Sequence, residues 1–476
     1  MKHFCLHTSK ETVLKRAALG IVLCLLLHVI GLAQTSSEPE KKTTVLEQES
    51  TRKQTAAQKI TYVRAGRLFD GKSESLKHNV AIVIAGDRIQ TVGESSSTPV
   101  PPEATVVDLS NYTVTPGLFD CHTHLGSRAD HYEDIYEFKN TPLREAIAGV
   151  VNSRKTLEAG FTTVRDVGST PFLAVDLRES INDGYIPGPR IMASGPAISI
   201  TGGHGDTNNY APEVSKLRFS AERDYAFADS PDDLRHVIRA QMKYGVDVIK
   251  IMATGGVLSR GDQPGAPQFT LEELKVAAEI AHQGGRKIAA HAHGTEGIKN
   301  AILAGFDSIE HASLVDDQGI RLAKEHGTYF VMDIYNDDYL VGKAIEFGLQ
   351  PEHVEKEKAI GRLQRENFRR ATQAGVKMAF GTDAGVYPHG DNAKQFATMV
   401  QFGMTPAQAL RSATFNAADL LGRKDVGVIE QGRYADLIAV SGDPLQNIRT
   451  MENVQWVMKG GIVYKDVRSE AAAKAH

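Results

Sequence analysis

The chain has 476 residues, 41% of them hydrophobic, which is enough for one large core and a second domain. A formal net charge of −4, with 24% charged and 7% aromatic residues, excludes the strongly basic surface that nucleic acid or an anionic bilayer selects.

In chain order, Lys2, Lys10, Lys15 and Arg16 precede an apolar run over 17–33 that ends in Gly31-Leu32-Ala33. This pattern predicts a signal peptide over residues 1–33, cleaved before Gln34, and a periplasmic or secreted protein. The run is short for a membrane span and no stop-transfer charges follow, so no membrane association is expected after cleavage; an uncleaved N-terminal anchor is the other reading. Cleavage removes Cys5 and Cys24 and leaves Cys121 alone, so no internal disulfide is expected. Thiol catalysis at Cys121 is not expected, because strand alternation turns it away from the face of His122.

Residues 34–58 are polar and aperiodic, as in a flexible linker. Short-strand texture follows over 59–116 in ITYVRAGRLFDG, NVAIVIAGDRIQTVG and ATVVDLSNYTVTPG. It returns over 423–468 in GVIEQGRYADLIAVSG and VQWVMKGGIVYKD. The two pieces predict one small β-sandwich domain assembled from both termini, with a disordered tail over 469–476. Between them, over 117–422, short apolar runs alternate with amphipathic helical stretches. Eight candidate strands (GLFDCHTHL, FTTVRDVG, RIMASGP, VDVIKIMAT, KIAAHAHG, DSIEHAS, TYFVMDI and KMAFGTDAG) predict a TIM (β/α)8 barrel. No G-x-G-x-x-G follows the first strand, which removes the dinucleotide-binding reading.

The ligand-type residues fall at the C-terminal ends of these strands, the face on which TIM barrels build their sites. His122 and His124 close the first strand, and their i, i+2 spacing turns both imidazoles one way. Lys250 ends VDVI, His291 ends KIAA, His311 ends SIE and Asp383 ends MAFGT. Imidazoles and a carboxylate around one cavity suit Zn2+ or a similar divalent ion. A buried Lys250 beside cations would be a free amine, able to capture CO2 as a carbamate whose two oxygens bridge two metals. The plainer alternative pairs it with a carboxylate. His293 shares a face with His291, so spacing alone leaves open which of them binds metal.

Together, His122-x-His124, Lys250, His291, His311 and Asp383 resemble the amidohydrolase superfamily in its binuclear form with a carboxylated lysine. The likeness runs from about residue 60 to 468. TPGLFDCHTHL, VIKIMATGGVLS, AAHAHG and SIEHAS resemble the branch of Xaa-Pro dipeptidases, ochratoxin-type amidases and imidazolonepropionase-like proteins. The resemblance implies two divalent metal ions per chain and N6-carboxylysine at Lys250. It implies that His122, His124 and Asp383 hold the more buried ion, His291 and His311 the other, with Lys250 bridging them. A hydroxide between the ions would attack the amide, Asp383 serving as acid and base. It also implies a homo-oligomer.

Taking His291 as the ligand leaves His293 free to hydrogen-bond the oxyanion or substrate. His204, in the loop TGGHGD, is a further substrate-side candidate. Tyr387 and His389 are weighed as pocket-lining residues, Arg223 and Arg260 as receivers of a substrate carboxylate. The expected reaction is cleavage of an amide bond next to a C-terminal amino acid, on a small-molecule amide or dipeptide. The alternatives are a cyclic-amide hydrolase, which export disfavours, and a non-enzymatic scaffold, whose usual loss of ligands is not seen here.

Overall fold

The computed structural model describes residues 59–468 except positions 207, 209 and 219; the expected signal peptide, linker and C-terminal tail lie outside the described residues. Four strands come first: β1 (Ile60–Leu68), β2 (Lys77–Ala85), β3 (Arg88–Glu94) and β4 (Thr105–Pro116). β2 lies antiparallel to both β1 and β3, and β1 runs parallel to β4. Their alternation is that of half-buried strands: Val63 and Ala65, Val80, Ile82 and Ile84 turn into one apolar core.

The end of β4 passes through Gly117 into the barrel. Seven strands are regular: β5 (Leu118–Thr123), β6 (Phe161–Asp166), β7 (Arg190–Ala193), β8 (Val248–Met252), β9 (Lys287–Ala292), β10 (Ser308–His311) and β11 (Tyr329–Val331). β5-β6-β7 and β8-β9-β10-β11 form two parallel ladders. Two irregular segments join them. Ile198 donates to the Lys250 carbonyl and accepts from the Met252 N–H, both at 2.8 Å, which bridges from β7 to β8. On the far side, 377–384 bonds to Phe330 of β11 and, through Phe380 O and Asp383 N, to Cys121 and His122 of β5. The ring thus closes as a TIM barrel. Its eighth segment is not a regular strand, and it carries Asp383 with a left-handed backbone, φ 58°.

Three of the helices outside the ring start where their sequences cap them. Thr141 and Ser230 cap Pro142–Glu158 and Pro231–Lys243, and Thr270 with Glu273 forms a capping box on Leu271–Gln283. Their inner faces, including Leu157, Leu234, Leu274 and Ala277, pack on the strands in one continuous cluster.

β12 (Leu437–Ser441), β13 (Val454–Lys459) and β14 (Ile462–Asp466) then return to the first sheet. β12 pairs antiparallel with β4, giving seven strands in the order β14-β13-β12-β4-β1-β2-β3. Trp456, Met458, Leu437 and Ala439 join Val63, Ile82 and Leu109 in its core, so both ends of the described chain build this sheet. It is fastened to the barrel by Arg190, whose Nε and Nη2 bond Asp436 at 3.0 and 3.1 Å. The Tyr434 ring has the Arg88 guanidinium 3.4 Å and the Arg190 guanidinium 4.0 Å from its centroid.

Candidate metal centre

At the C-terminal end of the barrel, His122, His124, Lys250, His291, His293, His311 and Asp383 line one cavity of about 170 Å³, together with His204. His122 and His124 approach Asp383 Oδ1 with their Nε2 atoms, at 3.4 and 3.1 Å. That oxygen is buried and accepts no hydrogen bond. Three donor atoms converging on one point with no bonded proton between them fit a cation. A ligand nitrogen or oxygen from His122, His311 and Asp383 lies within 4.8 Å of the others, and the same holds for His291, His293 and His311.

The outer nitrogens of these histidines are fixed. His122 Nδ1 lies 3.0 Å from Glu310 Oε2, His124 Nδ1 lies 2.8 Å from the Gly168 carbonyl, and His311 Nδ1 lies 2.8 Å from Asp333 Oδ1. His291 Nε2 faces the Gly255 carbonyl at 3.2 Å, which leaves Nδ1 as its free nitrogen. Such partners set the tautomer and aim the lone pair. Glu310 is buried and held by Arg165 Nη2 at 2.7 Å, which keeps its carboxyl well below the usual range against the opposing pull of burial. Beneath the site, Asp120 Oδ1 accepts from the backbone N–H of both His122 and Thr382 at 3.1 Å, tying β5 to the segment that carries Asp383. His311 and Asp383 both sit in the left-handed region, at φ 65° and 58°, a strained conformation that the surrounding bonds hold in place.

The Lys250 side chain is buried, and its amine makes no hydrogen bond or ion pair among the described residues. Burial pulls its pKa down to about 8, against the opposing pull of Glu310. Burial and the neighbouring histidines keep His291 and His293 neutral, with pKa values well below normal. Burial and Lys250 lower that of His122, but Asp383 and Glu310 outweigh them and the net shift is upward. Asp383 is held far below the ordinary carboxylate range: burial raises it, and His122 and His124 more than reverse that. Neutral imidazoles at His291 and His293, an ionised carboxylate and an easily discharged amine are protonation states that metal binding requires.

His204 stacks on His291, with ring centroids 4.2 Å apart, and its Nδ1 lies 2.7 Å from Ser259 Oγ. Burial lowers its pKa to about 4. A Cβ on Gly256 would fall 2.1 Å from the His204 ring, so glycine is required there. His293 Nδ1 bonds Ser313 Oγ at 2.8 Å. Four weighed residues sit elsewhere. His389 supports the site from behind, Nε2 donating to the His124 carbonyl at 3.1 Å. Tyr387 is buried against Tyr335, outside the cavity wall. Arg223 is exposed, and neither it nor Arg260 lines the cavity. Cys121 packs among Phe119, Tyr329 and Val331, its thiol pKa raised by burial.

Glu310, Arg165, Asp333 and Gln364 support the site and are not among the sequence-derived candidates. The signal lies in SIEH and VMDI, where an acid interrupts an apolar strand beside or opposite a ligand: a buried carboxylate needs a partner.

A barrel carrying a histidine and carboxylate cluster at its C-terminal mouth defines a metal-dependent hydrolase architecture. The amidohydrolase family model matches residues 113–463, and the chain belongs to the amidohydrolase family. It is 34% identical over 426 residues to ochratoxinase of Aspergillus niger, covering 86% of this chain and 87% of that protein. Among solved structures it is similar to a Xaa-Pro dipeptidase with methionine bound in the active site, at 40% identity and a TM-score of 0.79, covering 85% and all of the two chains. It is also 26% identical to imidazolonepropionase of Idiomarina loihiensis over 408 residues, 80% of this chain and 90% of that one. The protein is accordingly a metal-dependent hydrolase of amide or peptide bonds.

Proposed function

We propose that this protein cleaves the amide bond next to a C-terminal amino acid, as a dipeptidase, carboxypeptidase or N-acyl amino-acid amidase. The observation that carries the reading is the orphaned Asp383 Oδ1 between His122 and His124, with the unpaired Lys250 in the same cavity. Similarity to an ochratoxinase and to a Xaa-Pro dipeptidase supports the substrate class.

His122, His124 and Asp383 would hold one divalent ion, and His291 and His311 a second. Lys250, carboxylated on Nζ, would lie between them. Zn2+ suits these donors. Ions held there would supply Lewis acidity to the amide carbonyl and lower the pKa of a water to about 7. Asp383 would accept the proton of the attacking water and pass it to the departing nitrogen, assistance worth roughly 10²–10⁴-fold. His293, with Nδ1 accepting from Ser313 Oγ–H, offers Nε2–H to the carbonyl oxygen as it gains charge. His204, anchored through Nδ1, offers Nε2 to the substrate carboxylate, which draws a proton onto the ring. Export from the cytoplasm and assembly into a homo-oligomer belong to the same proposal, resting on the N-terminal sequence and the resemblance respectively.

A library of dipeptides and N-acyl amino acids, with amine release as readout, tests the reading. Hydrolysis of members with a free C-terminal carboxylate is expected. Turnover confined to cyclic amides, or to none, overturns it.

A further inference from the structure

The helix Pro351–Ala374 turns one face into the metal cavity, carrying Glu357, Ile360 and Gln364 at i, i+3 and i+7. Gln364 is committed to the site's scaffold: its Nε2 donates to Asp333 Oδ1 at 3.1 Å and to the His311 carbonyl at 3.3 Å. Asn336 is likewise bound to Asp333. Glu357 has no such task. It is 4% exposed, lines the cavity, and touches no candidate metal ligand by hydrogen bond. Its carboxyl hydrogen-bonds that of Asp337, itself paired with Arg365 Nη1 at 3.2 Å. The rest of that wall is apolar, with Leu258, Leu340, Ile360 and Val386.

A buried carboxyl in an apolar wall is costly unless something completes it. Burial first, then Asp337 and Asp333, push the Glu357 carboxyl up to about 8. Glu357, Asp337 and Asp333 thus gather acid on one wall, where the Arg365 guanidinium pairs with Asp337. A cation brought by the substrate to this wall favours the ionised form of Glu357. Among the polar side chains lining the cavity, only Glu357 and His204 neither belong to the proposed catalytic set nor support it. An imidazole is suited to a carboxylate, and a carboxyl to an ammonium.

We propose that Glu357 is a specificity-determining residue that receives the free α-ammonium of the residue on the acyl side of the scissile amide. The preferred substrate is then an unblocked dipeptide, with N-acyl amino acids disfavoured. This rests on amide hydrolysis at the same cavity and narrows it. An acyl cap removes the charge and leaves the Glu357 carboxyl with Asp337 as its hydrogen-bond partner and no cation.

The test is calorimetric binding of a non-hydrolysable phosphinic dipeptide analogue and its N-acetyl derivative to the metal-loaded enzyme. The wild type should bind the free amine at least about tenfold more tightly, as a charge-assisted bond implies. Glu357→Gln should bring the ratio near one while leaving the N-acetyl compound's affinity unchanged, and Glu357→Asp should retain part of the preference. No preference in the wild type, or an undiminished one in Glu357→Gln, overturns the assignment, the first of these without any variant. Failure of the wild type to bind either compound is a different outcome: it removes the amide-hydrolase reading of the cavity, and this inference with it.

Discussion

Glu310 of β10 reaches across the barrel to β5, placing Oε2 3.0 Å from His122 Nδ1 while its other oxygen holds Arg165 Nη2 at 2.7 Å. The contact puts the proton of His122 on Nδ1 and turns the Nε2 lone pair toward Asp383. Removing such a support typically lowers metal affinity about 10–100-fold. Glu310→Gln should therefore weaken metal retention in a chelator competition by that amount while the protein stays folded. Glu310→Ala should in addition lose roughly 3–5 kcal/mol of stability, because the Arg165 guanidinium is left buried and unpaired. Unchanged metal affinity in Glu310→Gln would sink the role assigned to this contact.

Lys250 offers a sharper test. Carboxylation demands a neutral amine, and a buried Nζ with pKa near 8 reaches that form at ordinary pH. Lys250→Ala is expected to abolish hydrolysis, and added short carboxylic acids should restore part of it by occupying the carbamate's place. Full activity in the unsupplemented variant would refute the bridging assignment.

Glu357 predicts a pH dependence of stability. Its folded pKa, about 8, lies above the unfolded value of about 4.3, so the folded state binds the extra proton between those limits. Stability from this group is complete below about pH 4 and falls as pH rises toward 8. Replacing it by Gln removes the titration. The melting temperature of Glu357→Gln should decline less steeply from pH 5 to 8 than that of the wild type. Parallel profiles would show that Glu357 titrates normally.

The seam between sheet and barrel rests on Arg190, held by Asp436 and stacked on Tyr434. Arg190→Ala breaks a partly buried bidentate pair and a cation–π contact, a loss of roughly 1–3 kcal/mol. Chemical denaturation measures it. An unchanged midpoint would mean that the apolar contacts of the seam carry it alone.

The barrel was legible in the sequence because eight short apolar runs alternate with amphipathic helical stretches, and its ligand-type residues were legible because they end those runs. The two ladder gaps were not. Segment 377–384 reads as an ordinary strand, KMAFGTDAG, yet Asp383 leaves the β region, a choice set by bonds from Asp120 and His122 that local sequence does not encode. The same limit hid Glu310 and Asp333, whose partners are distant in the chain. It also made Arg223 and Arg260 plausible carboxylate receivers, although Arg223 is exposed on the helix Ser220–Ala226 and neither residue lines the cavity. Glu357 escaped because on a long polar helix one acid among many shows no sign of burial; only packing against the barrel mouth singles it out.

We propose that His122, His124, Lys250, His291, His311 and Asp383 hold two divalent ions that hydrolysis requires. Elemental analysis of protein purified without chelators, paired with an activity assay before and after chelation, tests this directly. About two metal ions per chain are expected, with activity lost on chelation and regained on adding Zn2+ or a similar ion. A ratio near zero, with hydrolysis undiminished by the chelator, would contradict it.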